Sequence, residues 1–349
     1  MGSRHMSTSQ KNHQASLPIR SADLPARKFR GMIGVGGIGA GVFFAVRGNT
    51  TIGREESRGG RFLDRRDCCK LHIISHYVKV LSDPEFEVIP IGKVGDDDTG
   101  RKLLQEMAEV GLDLRYIEVS PGDSTLFSFC FIYPDGSGGN LTTDDSACSK
   151  VNSSFVRRAE SEFQRLSGHG IALAAPEVPM EARQTLLDFG TQYGLFRAAS
   201  FTSEEIRLAL ELGMLNYVDL LAINRDEALR LADIHNNTET TRIVQLAVER
   251  VKSVNPRILV TVTAGAEGSW LWTGESYLHL PAMKVQPVST AGAGDAHLAG
   301  MLVGIAEGMG LAEAHRLGVV VAGLSVTSPH TINKNINREL VSRTLGQLA

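Results

Sequence analysis

The chain has 349 residues, 42% of them hydrophobic and 21% charged, and a formal net charge of -3. That is ordinary globular composition, long enough for one large α/β domain or two modest ones with a sizeable core. A slightly acidic chain without a long basic run is not expected to bind nucleic acid through phosphates, and no run approaches the ~20 apolar residues of a membrane helix.

Residues 1–26 read as a flexible tail. Its first six residues, Met1 to Met6, resemble a cloning remnant, and it holds no apolar signal-peptide core. Residues 27–349 read as one folded domain. Apolar strand-like runs then alternate with segments of helical period, the pattern of βαβ units on a mainly parallel sheet. In chain order the spacing predicts a strand at 32–35, a Gly-, Thr- and Arg-rich break at 37–58, a helix at 61–81, a strand at 87–91 and a helix at 99–110. Residues 116–146 alternate like a small antiparallel sheet, with a turn at Pro134, Asp135 and Gly136. Next come a helix at 154–166, a strand at 171–174, a helix at 179–193, a strand at 195–200 and a helix at 203–212. A strand at 218–223, a helix at 240–253 and a strand at 258–262 follow. A hairpin (269–272 and 276–280) and helices at 293–307, 311–325 and 336–348 close the chain. The fold class is α/β. Segments 37–58 and 116–146 are placed to form a β-rich lid over an active site.

Cys68, Cys69, Cys130 and Cys148 form no C-x-x-C pair and are too few for a disulfide scaffold, which fits a reducing cytoplasm.

The most informative stretch runs Ser289-Thr290-Ala291-Gly292-Ala293-Gly294-Asp295 into an apolar helix. Small residues permit a tight turn with unobstructed N–H groups, and a helix start accepts anions through its unpaired donors and dipole. Asp295 alone could be a dipole-compatible cap and nothing more. Upstream, Thr263, Gly265 and Gly268 form a T-x-G-x-x-G turn after a strand, able to wrap phosphates with amides and a hydroxyl. Asn224 and Glu227 stand three apart after another strand, where they project to one side and could hold hydrated Mg²⁺.

This order of motifs resembles the ribokinase-like (PfkB) sugar and nucleoside kinase family, from about Gly31 to the C-terminus. The segment from Gly92 through Asp96 to Gly100 is similar to another stretch typical of it. The resemblance implies a three-layer αβα core with a β lid, making residues 27–349 a kinase domain that uses ATP and Mg²⁺. It implies that Asp295 deprotonates a small-molecule hydroxyl acceptor while the amides of Gly292, Ala293 and Gly294 form an anion hole. Asn224 and Glu227 would organise Mg²⁺, and Thr263, Gly265, Gly268 and Thr290 would lie against ATP. Gly59, Gly60 and Asp64 match the family's GG-x-x-x-N acceptor element, with Asp64 replacing the Asn.

Three departures stand out. Gly41 occupies the position where members carry an acceptor-gripping Asp, and Asp64 replaces the Asn of the acceptor element; both changes sit on the acceptor side, so an ordinary sugar does not follow from the resemblance. Arg54, Glu55, Glu56, Arg58 and Arg61 crowd the same neighbourhood, as readers of a charged acceptor or as a solvated face. Ser289 stands where an Asp often helps bind a monovalent cation, which places potassium activation in doubt.

Other signals compete. Gly34, Gly36 and Gly39 spell G-x-G-x-x-G and suggest a nicotinamide dehydrogenase with Glu55 on the ribose, or close packing at a strand-to-lid transition. Asp64, Cys68, His72 and His76 would form a zinc-compatible stripe on a helix over 61–81, or a packed inner face. Trp270 and Trp272 face one side of a strand and read as core. His297 and His330 flank the nucleotide region without an identifiable partner. No Walker A sequence is present. A ligand-binding regulator that kept the fold is the alternative function, motivated by Gly41 and Asp64. Exposed lid edges invite a homodimer.

Overall fold

The computed structural model describes residue 24 and residues 28–135, 138–234 and 238–347. Most of the stretch read as a tail, and Gly136 of the expected turn, lie outside them. Leu24 does not behave as a tail residue, since it is buried in the core near Phe29.

Among the described residues, thirteen strands divide into two sheets. They are β1 (Gly31–Val35), β2 (Gly39–Val46), β3 (Gly60–Cys68), β4 (Glu87–Gly95), β5 (Ile117–Ser120), β6 (Leu126–Ile132), β7 (Gly138–Thr142), β8 (Gly170–Ala174), β9 (Phe196–Ser200), β10 (Leu220–Asn224), β11 (Leu259–Thr263), β12 (Ser269–Trp272) and β13 (Tyr277–Leu280). The large sheet has the order β13-β12-β11-β10-β9-β8-β1-β4-β5. It is parallel except where β12 and β13 turn back. β1, β8 and β9 are buried along their whole length, as strands covered on both faces must be.

Two groups of helices supply the cover. α1 (Lys70–Leu81) and α2 (Asp98–Glu109) pack on one face with the three C-terminal helices. α3 (Ser153–Arg157), α4 (Glu160–Arg165), α5 (Met180–Gln192), α6 (Ile206–Glu211), α7 (Arg225–Leu231) and α8 (Thr240–Lys252) pack on the other. α9 (Ala293–Ala306), α10 (Leu311–Ser325) and α11 (Arg338–Gln347) complete the first group. Successive strand residues point to opposite faces and therefore feed two separate cores, giving the expected three layers. Trp270 and Trp272 lie in the second core, as their spacing predicts.

The second sheet, order β3-β2-β6-β7, is the lid. Its composition corrects the sequence reading in two places. Residues 60–68 are a strand rather than the first half of a helix, and β5 pairs with β4 at the edge of the large sheet instead of joining the lid. The strand was hidden because Asp64, Arg65, Arg66 and Asp67 form a charged run without apolar alternation. β2–β3 pairing passes from Phe43↔Leu63 to Val42↔Arg66, so Asp64 and Arg65 bulge out of the ladder. The Gly92 to Gly100 segment braces the lid. Asp97 caps α2 through Gly100 N–H and also accepts from the N–H and hydroxyl of Thr125, just before β6.

Candidate active site

A cavity of about 860 Å³ opens at the carboxyl ends of β10 and β11 and the start of α9. Crevices at strand ends are the usual ligand position in an open α/β sheet. Asn224, Glu227, Thr263, Gly265, Gly268, Thr290, Gly292, Ala293, Gly294 and Asp295 all line it. Their convergence follows from three local devices.

The first is the start of α9. Gly292 is its N-cap, in the left-handed region at φ 77°, and a Cβ there would approach Thr331 to 3.1 Å. Only glycine takes this turn without strain. The following N–H groups have no carbonyl one turn back and open into the cavity. α9 is buried all round beyond its first turn, so the helix start cannot drift.

The second is the turn after β11. Ala264 N–H bonds back to Gly268 carbonyl, and Gly268 N–H to Gly265 carbonyl, which curls the backbone into a loop. Gly268 adopts φ 93°, and a Cβ there would sit 2.1 Å from the carbonyl oxygen of Leu280. Thr263 Oγ1 lies 3.4 Å from where a Gly294 side chain would begin, so the turn after β11 faces the start of α9.

The third is the start of α7. Asn224 Oδ1 accepts from Glu227 N–H at 2.8 Å, while Glu227 Oε2 accepts from Asn224 N–H at 2.8 Å, a reciprocal capping box. This pair is therefore structural as well as a candidate for metal. The oxygen left over is Glu227 Oε1, 3.8 Å from Lys70 Nζ.

Lys70, the first residue of α1, escapes the sequence reading because a single helix over 61–81 conceals its true start. Its Nζ also lies 3.8 Å from Asp295 Oδ1. Burial works against the ammonium, but the carboxylates of Asp295, Glu227, Glu177 and Glu205 outweigh it and hold the group above the ordinary lysine range. Burial raises the pKa of Asp295 above that of a free aspartate, and Lys70 opposes the shift. Burial likewise raises Glu227.

Gly59, Gly60 and Asp64 do not join these residues. They sit at the start and bulge of β3, Asp64 is exposed, and none lines the cavity. Two carboxylates that the sequence reading missed feel the charge of Asp295. Asp67 is lifted to about 6 and Glu177 to about 7, chiefly by burial, with the charge of Asp295 contributing to both rises. Nothing in the spacing marks them; strand register and a turn after β8 bring them in.

The rival signals resolve structurally. β1 runs into β2 with no intervening helix, and Gly34 and Gly36 instead allow Leu71 and Ala175 to pack closely, so the dinucleotide pattern is a packing device. Asp64 is on a different element from His72 and His76, and among the described residues no three metal-binding side chains form a group. His72, His76 and Cys68 line a separate cavity of about 630 Å³ beside Arg66 and Lys334. His297 is buried edge-on to His315, whose Nε2 meets Ser269 Oγ at 2.7 Å. His330 accepts the N–H of Arg66.

A lid sheet beside a mainly parallel nine-stranded sheet between two helical layers is the ribokinase-like α/β fold. The pfkB family carbohydrate kinase profile matches residues 76–338, and the chain belongs to that family, whose members transfer phosphoryl groups to alcohols. It is 25% identical over 249 residues to a ribokinase of Schizosaccharomyces pombe, covering 70% of this chain and 76% of that protein. Ribokinase from Giardia lamblia shares the fold with a TM-score of 0.75 at 18% identity, over 92% of this chain and 100% of that one. Ribokinase of Arabidopsis thaliana, complexed with ribose and ATP, matches with a TM-score of 0.68 at 19% identity, over 91% and 99%. No helix among the described residues is long and apolar enough to cross a membrane.

Proposed function

We propose that this chain is an ATP- and Mg²⁺-dependent kinase that phosphorylates a hydroxyl of a sugar, polyol or nucleoside, with Asp295 as its base. The observation that carries this reading is the meeting of the glycine turn, the α9 start and Asp295 around one cavity. ATP supplies the phosphoryl group, and Mg²⁺ offsets the charge on its phosphates.

What the chain contributes is alignment and charge stabilisation, which is most of what phosphoryl transfer requires. The turn holding Thr263, Gly265 and Gly268, together with Thr290, lies along the triphosphate. The amides of Gly292, Ala293 and Gly294 form the anion hole, each donor worth on the order of 10²–10³ in rate. Asp295 takes the acceptor proton, and its raised pKa makes it a stronger base than a free aspartate. Lys70 opposes the rise that burial imposes on Asp295 and adds a positive charge beside it. Glu227 Oε1 is the oxygen free to hold a magnesium-bound water, while Asn224 positions Glu227 through the capping box. With so few protein ligands, Mg²⁺ would be carried mainly by nucleotide phosphates and water, which suits its reluctance to dehydrate.

Asp295→Asn is expected to keep the wild-type melting temperature and lose at least about 10²-fold in kcat. Retention of more than about a tenth of the wild-type rate removes Asp295 from the role of base.

We also propose that the protein forms a homodimer through the lid. The lid's outer face carries Phe44, Phe62 and Phe129 in mutual contact, and Phe62 and Leu141 are each 65% exposed. A contiguous exposed apolar face of this kind marks an interaction surface. A cytoplasmic setting agrees with four cysteines that are all unpaired.

A further inference from the structure

The second cavity, of about 630 Å³, has no part in the proposed reaction. It is walled by the end of β3, by α1 and α2, and by the segment 327–335 that joins α10 to α11. It shares no lining residue with the larger cavity. Its volume falls in the range of small-molecule sites.

Charged and titratable groups reach it from every wall. β3 supplies Arg66, α1 supplies His72 and His76, α2 supplies Glu106 and Glu109, and the 327–335 segment supplies His330 and Lys334. Both acids already have partners. Glu106 is paired with Arg66 and, at 3.9 Å, with Lys334, while Glu109 accepts from the Gln105 amide. A guanidinium carries five N–H donors and an ammonium three, so one shared carboxylate leaves most of them unspent. His330 Nδ1 accepts the N–H of Arg66 at 3.1 Å, which puts the proton of the neutral ring on Nε2 as a further donor.

His72 points to an occupant. It is 1% exposed, it lines the cavity, and its Nδ1 has no hydrogen-bond partner. A buried polar atom of this kind calls for a partner from outside the chain. Burial holds His72 down to about 3 and His76 to about 4, and neighbouring positive charge adds to both shifts. At His72 the acting charges are those of His76, Arg66 and Lys334, and at His76 Lys334 outweighs Glu106. The field at both imidazoles is therefore positive despite the two carboxylates of α2. Among the described residues no three metal-binding side chains form a group, so the rings serve here as hydrogen-bonding groups.

We propose that this cavity is a second ligand site, separate from the reaction centre, which binds a small organic anion through a phosphate or carboxylate group. Arg66 and Lys334 supply the charge, and the rings of His72 and His330 supply N–H donors. Charge-assisted bonds of this kind are about twice as strong as neutral ones. The volume is that of a metabolite and not of a bare ion.

The site has a short route to the start of α9. Thr331 N–H donates to the Arg66 carbonyl at 3.1 Å, and Cys68 N–H donates to Thr331 Oγ1 at 3.0 Å. On its other side Thr331 packs against Gly292, where an added Cβ would come within 3.1 Å of it. An anion that gathers Arg66 and Lys334 holds β3 and the 327–335 segment together, and so steadies the Gly292 turn. Anion and nucleotide should then tighten each other's binding by the same factor.

Calorimetry on the full chain tests the site with inorganic phosphate, phosphoenolpyruvate and citrate, each with and without saturating ADP and Mg²⁺. The nucleotide occupies the larger cavity, so an anion that binds beside it must bind elsewhere. At least one of the two organic anions is expected to bind once per chain with ADP present, at least tenfold more tightly than phosphate. It should raise the affinity for ADP at least threefold. Lys334→Glu changes a side chain that is 64% exposed and should fold normally. It should weaken the anion at least tenfold and leave the affinity for ADP in anion-free buffer within twofold. His72→Phe, which fills the cavity, should do the same; if it fails to fold, Lys334→Glu decides. Loss of all anion binding on adding ADP, or undiminished binding in Lys334→Glu, overturns the second site, as does failure of all three probes to bind. An anion that binds but leaves the affinity for ADP unchanged overturns the link through Thr331. A chain that binds no ADP loses the kinase reading and not this site, since Lys334→Glu locates the anion without nucleotide.

Discussion

Lys70 Nζ stands 3.8 Å from Asp295 Oδ1 and 3.8 Å from Glu227 Oε1, so one ammonium bridges the acid on the first turn of α9 and the acid on the first turn of α7. Three helix starts, those of α1, α7 and α9, are thereby joined by charge at the point where β10 ends.

The bridge is expected to matter more for chemistry than for folding. Lys70→Met leaves Asp295 and Glu227 facing each other without a counterion. The lysine side chain retains 26% of its exposure, so water screens part of the loss. We expect a stability loss of about 1–3 kcal/mol, below the range for breaking a fully buried pair. The same variant should lose at least about 10²-fold in kcat, since a fixed charge beside the reacting groups disappears. Urea denaturation and steady-state rates measure the two effects. Wild-type kcat in a folded Lys70→Met protein would show that the ammonium is only structural.

Glu227→Gln isolates the metal reading from the capping box. The amide oxygen of Gln can still accept from Asn224 N–H, so loss of cap stability should stay within about 1 kcal/mol. The oxygen facing Lys70 is replaced by a donor and can no longer hold a magnesium-bound water. The Mg²⁺ concentration for half-maximal activity should rise at least tenfold, read from a titration at fixed ATP. An unchanged titration curve removes Glu227 from magnesium binding.

Asp67 and Glu177 make the unliganded protein sensitive to pH in a defined direction. Their pKa values in the fold, about 6 and about 7, lie above the unfolded values of 3.8 and 4.5. The fold therefore favours their protonated forms. The associated stability is complete below about pH 4 and is lost as pH rises through about 7. At ~1.4 kcal/mol per pKa unit, Glu177 accounts for up to about 3 kcal/mol of that loss. Glu177→Gln should flatten the decline between pH 5 and pH 8, measured by chemical denaturation without ligand. A variant that keeps the full wild-type slope would place the titrating group elsewhere.

The lid face offers a simple check on assembly. Phe62→Ser and Leu141→Ser change two side chains that are each 65% exposed, so neither should destabilise the fold by more than about 0.5 kcal/mol. The wild type is expected to scatter light as a dimer and the double variant as a monomer. A monomeric wild type at tens of micromolar refutes pairing through the lid.

The residues that line the cavity were legible because each of their turns is contiguous in sequence. A turn that needs glycine at Gly268, a left-handed cap at Gly292 and an acid at Asp295 are local requirements of the backbone. Asn224 and Glu227 are equally local, although their mutual capping appears only in the coordinates. The alternation of strands and helices likewise exposed the layered core, since burial on both sheet faces leaves unbroken apolar runs.

The charges around Asp295 were not legible, and the cause is specific. Asp67 is placed only by the β2–β3 register, which depends on the bulge at Asp64 and Arg65. The unbroken charged run Asp64-Arg65-Arg66-Asp67 hides the strand, because it offers no apolar alternation. Lys70 and Glu177 come from segments far apart in the chain and meet only when α1 and the turn after β8 pack beside β1. By itself the sequence determined the fold class and the glycine turns at Gly268 and Gly292, because these are set by short-range geometry and burial. Tertiary structure alone decided which charges gather around Asp295, because strand register and helix packing bring together residues that no local pattern connects.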